Sequence, residues 1–237
     1  MTKLSKYDRA YIAEKLSDFW SLISPDDQAT LAEHLDVRKF KRNEKIYREY
    51  QCPEKLLCLI SGKVKIYRDG LSGKSLINRV LNPVEYFGYR AYLAHESYVT
   101  AAAAFEETTI VALPMLLISQ IMEHNPKLAN FFVKRLAVDL GRADERIVSI
   151  TQKHLAARLA EALLSLWEIY GVDPEEQTID LQIARQDLAD FSNMNTTNAI
   201  RTLRQFAKQN LVEIHGRQIR LLDIPKLQDI SIKGSLS

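Results

Sequence analysis

Residues 185–221 read RQDLADFSNMNTTNAIRTLRQFAKQNLVEIHGRQIRL: two helical periods, a short turn between them, and a two-strand pattern behind. Leu188, Phe191 and Met194 fall on the inside of the first helix and its turn, and Ala199, Ile200, Leu203, Phe206 and Ala207 form the inner stripe of the second. Asn193 sits in the turn, where a residue tolerant of left-handed backbone is needed, and Asn195 suits the N-cap of the second helix. Thr196, Thr197, Asn198 and Arg201 point outward, followed by Arg204 and Lys208. Short polar side chains with an arginine at a helix N-terminus suit hydrogen bonding to base edges in a major groove. The bland alternative is a winged helix whose polar face is only solvated and which contacts protein instead.

Charge follows the same segment. The 237 residues carry 32 Lys and Arg against 30 Asp and Glu, a net +2 that marks no general polyanion binder. Over 183–220, Arg185, Arg201, Arg204, Lys208, Arg217 and Arg220 face only Asp187, Asp190 and Glu213, a net of 6 − 3 = +3, whereas residues 150–237 hold 10 positive and 11 negative residues. Positive charge is therefore concentrated where phosphates would lie. Upstream, a helix over Leu155–Tyr170 ends at Gly171, and an acidic loop (GVDPEEQ) leads to a short strand at Thr178–Leu181. Downstream, Leu211–Ile214 and Gln218–Leu222 flank a His215-Gly216 turn, completing the order of a winged helix.

Before this domain, Asn125-Pro126 opens a long helix. Ala129, Val133, Leu136, Leu140, Ala143, Ile147 and Ile150 recur at spacings of 4 and 3, a heptad seam with charge elsewhere. Such a seam most simply buries itself against its own copy, with Val133, Leu136, Leu140, Ala143 and Ile147 as the interface; the alternative is a helix lying on its own domain. Leu128, Phe131 and Phe132 lie largely off the seam, available for packing on what precedes. A polar stretch at Ser149–His154 reads as the boundary.

Residues 36–113 have a different texture: short β-rich runs (Val37–Lys41, Leu56–Ile60, Lys63–Arg68, Ser75–Leu81, Val99–Phe105 and Thr108–Leu113) broken by Asn43, Pro53, Ser61-Gly62, Asp69-Gly70, Ser72-Gly73 and Asn82-Pro83. That pattern predicts a sandwich or barrel-like roll. Residues 7–35 read as helical, with Ser24-Pro25-Asp26-Asp27 as a start signal, and MLLISQIMEHN (115–125) as one short helix. The expected fold is α+β: a β-roll with N-terminal helices over 1–125, a dimerisation helix and hinge over 126–153, and a winged helix-turn-helix over 154–237. The longest apolar stretch, Ile110–Met122, is broken by Pro114, Ser119 and Gln120 and falls short of the ~20 residues a bilayer demands; no secretory signal is visible, so a cytoplasmic protein without a membrane partner is expected.

These strings together resemble the Crp/Fnr family of bacterial transcription regulators from about residue 20 to 225: LCLISGKVKIY (57–67), EYFGYRAY (85–92), Asn125-Pro126, AARLAEALL (156–164) and the helix-turn-helix with QNLVEIHGR (209–217). The resemblance implies a cyclic-nucleotide-binding-like β-roll that holds an effector, a long dimerisation helix and a winged helix. Its implied partners are a second copy, double-stranded DNA with a near-palindromic operator, and RNA polymerase. Gly62 fits the family's tight turn, and Gly88 the start of its phosphate-binding cassette. Arg185 and Gln186 match a pair that touches backbone phosphates in the family, although Ala184 replaces the usual hydroxyl N-cap.

Departures from the pattern restrict what the roll can bind. In the family's cyclic-nucleotide sensors a Glu follows the cassette glycine to accept from ribose hydroxyl, and an Arg near its end pairs with the cyclic phosphate. Here those positions are Tyr89 and Val99, beside Arg90 and Thr100. A phosphate would lack its main counter-charge, so cyclic AMP is not the expected effector. The iron–sulfur branch needs four cysteines, and the chain has Cys52 and Cys58 alone. A haem-binding branch leaves His95, in the cassette loop, as the candidate ligand. In the reading helix, Asn195-Thr196-Thr197-Asn198 replaces the S-R-E-T of well-studied members, so a different half-site is expected. A ligand-independent DNA-binding dimer, and a haem or gas sensor, are the competing readings within the family. An enzyme is not expected, since no P-loop, GxGxxG, HExxH or GxSxG occurs and Glu106-Glu107 reads as a solvated turn.

Overall fold

The computed structural model describes residues 9–70, 73–171 and 183–234. The helical region expected over 7–35, with a new start at Ser24, holds three short helices, α1 (Arg9–Lys15), α2 (Ser17–Trp20) and α3 (Pro25–Glu33); residues 7 and 8 lie outside the described residues. α3 begins as the sequence predicts: Ser24 Oγ accepts from the Asp27 amide at 3.2 Å, and Pro25 occupies the first turn.

The strands follow as β1 (Asp36–Phe40), β2 (Lys45–Tyr47), β3 (Lys55–Ser61), β4 (Val64–Asp69), β5 (Ser75–Leu81) and β6 (Tyr86–Phe87). Helix α4 (Tyr89–Leu93) intervenes before β7 (Ala101–Ala104) and β8 (Thr108–Pro114). They form two four-stranded sheets, ordered β1-β8-β3-β6 and β2-β7-β4-β5. The expected strands appear within a residue or two of their sequence bounds. β2, β6 and α4 are additions to the expected set, because two, three or five residues are too few to display a period. β3 is buried on both faces and splits its side chains by the pleat. Leu56, Cys58 and Ile60 enter a core shared with α1–α3, while Leu57 and Leu59 enter one inside the roll with Val64, Leu81, Tyr98 and Ala102. β8, antiparallel to β3 with Cys58 opposite Val111, divides likewise: Val111 and Leu113 on one side, Ile110 and Ala112 on the other.

Beyond β8 run α5 (Met115–His124), α6 (Pro126–Gln152), α7 (Leu155–Tyr170), α8 (Arg185–Phe191), α9 (Thr196–Lys208), the hairpin β9 (Val212–His215) and β10 (Gln218–Leu221), and α10 (Ile224–Lys233). The acidic loop after Gly171 and the expected strand at Thr178–Leu181 fall on 172–182, outside the described residues. α6 continues through the polar stretch that suggests a boundary. Ser149 is buried and donates to the Glu161 carboxylate, which Lys153 Nζ also meets at 3.1 Å, so the break narrows to Lys153-His154. α10 is a further addition, although its signals stand in the sequence: Asp223 Oδ1 accepts from the Lys226 amide at 2.9 Å, with Pro225 in the first turn.

Packing divides the chain into two units, Met1–Ile66 with Val80–Arg142, and Tyr67–Arg79 with Ala143–Ser237. Inside the second, Arg146 Nη2 donates to the carbonyls of Phe191 and Ile77, and Lys74 Nζ donates to Asn193 Oδ1 at 3.2 Å. Burial draws the Arg146 guanidinium below the ordinary arginine range. Among the described residues no helix is long and apolar enough to cross a membrane.

Candidate nucleic-acid interface

The turn between α8 and α9 is built by one left-handed residue. Asn193 has φ 52°, and the Met194 amide reaches back to the Ala189 carbonyl at 2.8 Å, closing a Schellman motif that stops α8. Asn195 then caps α9, its Oδ1 accepting from the Asn198 amide at 2.7 Å. α9 ends as α8 does, with Asn210 at φ 56° and the Leu211 amide on the Phe206 carbonyl at 2.9 Å. Two asparagines thus stand where glycine is commoner. The expected inner residues are inside: Leu188, Phe191, Met194, Ala199, Leu203 and Phe206 are buried, Ile200 and Ala207 half-buried. Thr202 is buried as well, which its polarity hides in the sequence.

Along the opposite face, Thr197, Arg201, Arg204 and Lys208 are exposed and Thr196 and Asn198 half-buried. Arg201 Nη2 donates to Asn198 Oδ1 at 3.2 Å, one turn back along the helix. Asp187 and Asp190 are buried, so two of the segment's three carboxylates are withdrawn from that surface; the third, Glu213, meets His215 at 3.1 Å and Arg220 at 3.7 Å. The exposed face is therefore more cationic than the sequence count of +3. Arg185, half-buried, and Gln186, exposed, are both engaged by neighbouring elements: Arg185 Nη2 donates to the Gly216 carbonyl at 2.6 Å, and Gln186 Oε1 accepts from Thr196 Oγ1 at 2.6 Å.

The cassette residues do not converge on one point. Gly88 is left-handed (φ 84°) and caps α4. Tyr89 is buried against Phe132, and its hydroxyl donates to Asp139 Oδ2 at 3.4 Å. Arg90 is exposed and pairs with Glu96 at 3.2 Å, Val99 is exposed, and Thr100 is half-buried. Tyr98, absent from the expected cassette residues, enters the core inside the roll: its ring stacks on Tyr47 at 3.9 Å, and a Cβ on Gly88 would stand 3.2 Å from its hydroxyl. Burial pushes that phenol up, with Tyr47 adding to the shift. His95, the candidate haem ligand, lies exposed at a left-handed turn (φ 55°).

On α6, Leu128 and Phe132 are buried in the core shared with α1–α3, as their place off the seam suggests. Val133, Leu140 and Ile147, seven residues apart, are 60%, 64% and 60% exposed, and Ala143 is exposed too; Leu136 is half-buried on the same core.

Comparison with known proteins adds family evidence. A profile of the cyclic nucleotide-binding domain matches residues 37–125, and one of the Crp-like helix-turn-helix domain matches residues 157–230. The global nitrogen regulator of Synechococcus elongatus is 23% identical over 192 residues, 80% of this chain and 86% of that one. The CRP-like cAMP-activated global transcriptional regulator of Mycobacterium tuberculosis is 20% identical over 206 residues, 86% and 92% of the two chains. The structure of FixK2 from Bradyrhizobium japonicum is similar in fold, with a TM-score of 0.74 at 21% identity, covering 82% of this chain and 96% of that one.

Proposed function

Since the chain belongs to the Crp/Fnr family of transcription regulators, DNA-binding proteins with a cyclic-nucleotide-binding-type domain, we propose that it acts as a homodimer on a near-palindromic operator, under an effector other than cyclic AMP. In this reading residues 1–125 sense, 126–153 dimerise and 154–237 bind DNA. Val133, Leu140, Ala143 and Ile147, with Leu136 at the seam's edge, meet their copies. The observation that carries it is the outer face of α9: Thr197, Arg201, Arg204 and Lys208 exposed on a capped helix whose neighbouring carboxylates are buried. Relatives of this family regulate transcription and are not described as enzymes, and the same role is proposed here, with RNA polymerase as a further partner.

The Mycobacterium tuberculosis relative is named as cAMP-activated. Transfer of that ligand is opposed by Tyr89 and Val99 at the two charge-bearing positions and by the engagement of Arg90 with Glu96. A cyclic phosphate would have to break that pair to find a counter-charge. The Tyr47–Tyr98 stack beside Gly88 favours a second reading, in which the roll is a scaffold and DNA binding is constitutive.

Selection of the full-length protein on a randomised duplex library tests the function. The expected product is a two-fold symmetric motif with half-sites about one helical turn apart; no enrichment would overturn the DNA-binding assignment. Calorimetric titration with cyclic AMP should give no micromolar binding, and such binding would overturn the exclusion. A thermal-shift screen of small anions and nucleotides separates sensor from scaffold: one stabilising compound that also changes operator affinity establishes the sensor.

A further inference from the structure

We propose that the neighbouring residues Arg185 and Gln186 form a brace that fixes the reading helix and the wing as a single DNA-facing surface. This rests on the reading of α9 as the base-contacting helix. The two side chains leave the first turn of α8 for different elements. Arg185 Nη2 donates to the Gly216 carbonyl at 2.6 Å, holding the loop of the β9–β10 hairpin. Gln186 Oε1 accepts from Thr196 Oγ1 at 2.6 Å, holding the first residue of α9. The other end of the amide is engaged as well: Nε2 donates to Asp190 Oδ1 at 2.8 Å.

The brace acts on a loop that packing leaves open on one side. The hairpin loop has two residues, Gly216 at φ 58° and Arg217, with His215 paired to Gln218 across it. Nothing lies within 4 Å of where a Gly216 side chain would begin, so the loop is not held by close packing on that side. Its neighbour Arg217 is exposed, and its position against a phosphate depends on the angle of the hairpin. Arg185 is half-buried, with Nη2 committed to the Gly216 carbonyl and Nη1 buried behind it, so the side chain is engaged by the fold before any phosphate arrives. Thr196, with its proton committed to Gln186, offers a base edge only lone pairs. Arg185, Gln186 and Thr196 are on this view positioning residues, and Arg201 and Arg217 act through the geometry they set.

Full-length protein decides between brace and phosphate contact. Without DNA, Arg185→Ala and Arg185→Lys should speed amide exchange over residues 214–219 by about tenfold, the loss of one charge-assisted hydrogen bond, while 202–206 keeps its protection. Thr196→Val should do the same over 196–199. On the duplex that the wild type selects, Arg185→Ala should lower the salt slope as Arg217→Ala does, by about 1.8 for the two wings of a dimer, and the double variant should lower it no further. Unchanged wing exchange, or slopes that add in the double variant, would overturn the brace in favour of a direct phosphate contact. Should Arg185→Ala not fold, Arg185→Lys decides by the same two measurements. Should the wild type select no duplex, the reading of α9 fails, and the exchange measurement alone decides the brace.

Discussion

At the scale of single residues, two left-handed glycines separate space from conformation. Gly62 has φ 83°, and a Cβ there would stand 2.3 Å from the Glu107 carbonyl oxygen. Gly216 has φ 58°, with nothing within 4 Å. Gly62→Ala must bear both the left-handed backbone and a clash with main chain, so it should cost more than about 2 kcal/mol, whereas Gly216→Ala bears the backbone alone at roughly 1 kcal/mol. Thermal melts of the two variants check the order; equal losses would show that the roll yields around Gly62. The cysteines divide in the same way. Cys52 is exposed, and Cys58 is buried, its thiol pushed up by burial first and by Asp18 second. A raised pKa keeps Cys58 neutral in the fold while the unfolded thiol ionises near its ordinary ~8.5. Stability is thus fully present below that pH and declines above it; buried Tyr86, raised by the same cause, steepens the decline above about 10. Iodoacetamide at pH 8 should alkylate Cys52 alone until the chain is unfolded.

Among the elements, α9 yields the sharpest expectation. Arg201 stands one and a half turns in from the helix start, still within reach of a guanine edge, and Asn198 could meet adenine. Arg201→Ala should cost about 1–3 kcal/mol on the selected site and relax one base pair, while Lys208→Ala should weaken all duplexes alike and reduce the salt slope by about one for each phosphate no longer neutralised. Because Asn198 Oδ1 accepts from Arg201 in the free chain, the two substitutions should be non-additive. A motif unchanged at every position by Arg201→Ala would remove α9 from base reading. The winged helix is legible in the sequence because each of its signals is local: an asparagine turn, an asparagine cap, apolar residues at helical spacing. The partners of Arg185 and Gln186 are not, since 31 and 10 residues separate them from Gly216 and Thr196 and no periodicity encodes a side chain's choice between water and a distant carbonyl. Tyr98 is hidden for a related reason. A phosphate site announces itself by charge, and an aromatic ring filling space leaves no such mark. α10 is hidden differently, as a helix whose cap and proline are plain but which lies beyond the hairpin that completes the winged-helix pattern.

The whole molecule depends on what α6 does with its open stripe. Twenty-seven residues make a helix about 40 Å long, and Val133, Leu140 and Ile147 leave an apolar row along it at a strict interval of seven. Among the described residues nothing covers these side chains, whereas a parallel copy would cover all three. Leu136 is a poor probe, because it is half-buried on its own core and a charge there would damage the chain itself. Leu140→Lys with Ile147→Lys is the clean test: in the separate chain both positions are exposed, so a lysine costs little, but in a dimer four ammonium groups would enter an apolar seam at several kcal/mol. The double variant should be a folded monomer by light scattering, with a melting profile close to that of a wild type diluted to dissociation. Its DNA behaviour follows from symmetry. A single α9 reads one half-site, so the variant should select an unpaired half-motif with much weaker affinity, where the wild type selects two copies ~34 Å apart. An unaltered dimer in light scattering would move the interface off this stripe and leave the exposure of Leu140 and Ile147 to be accounted for by another partner.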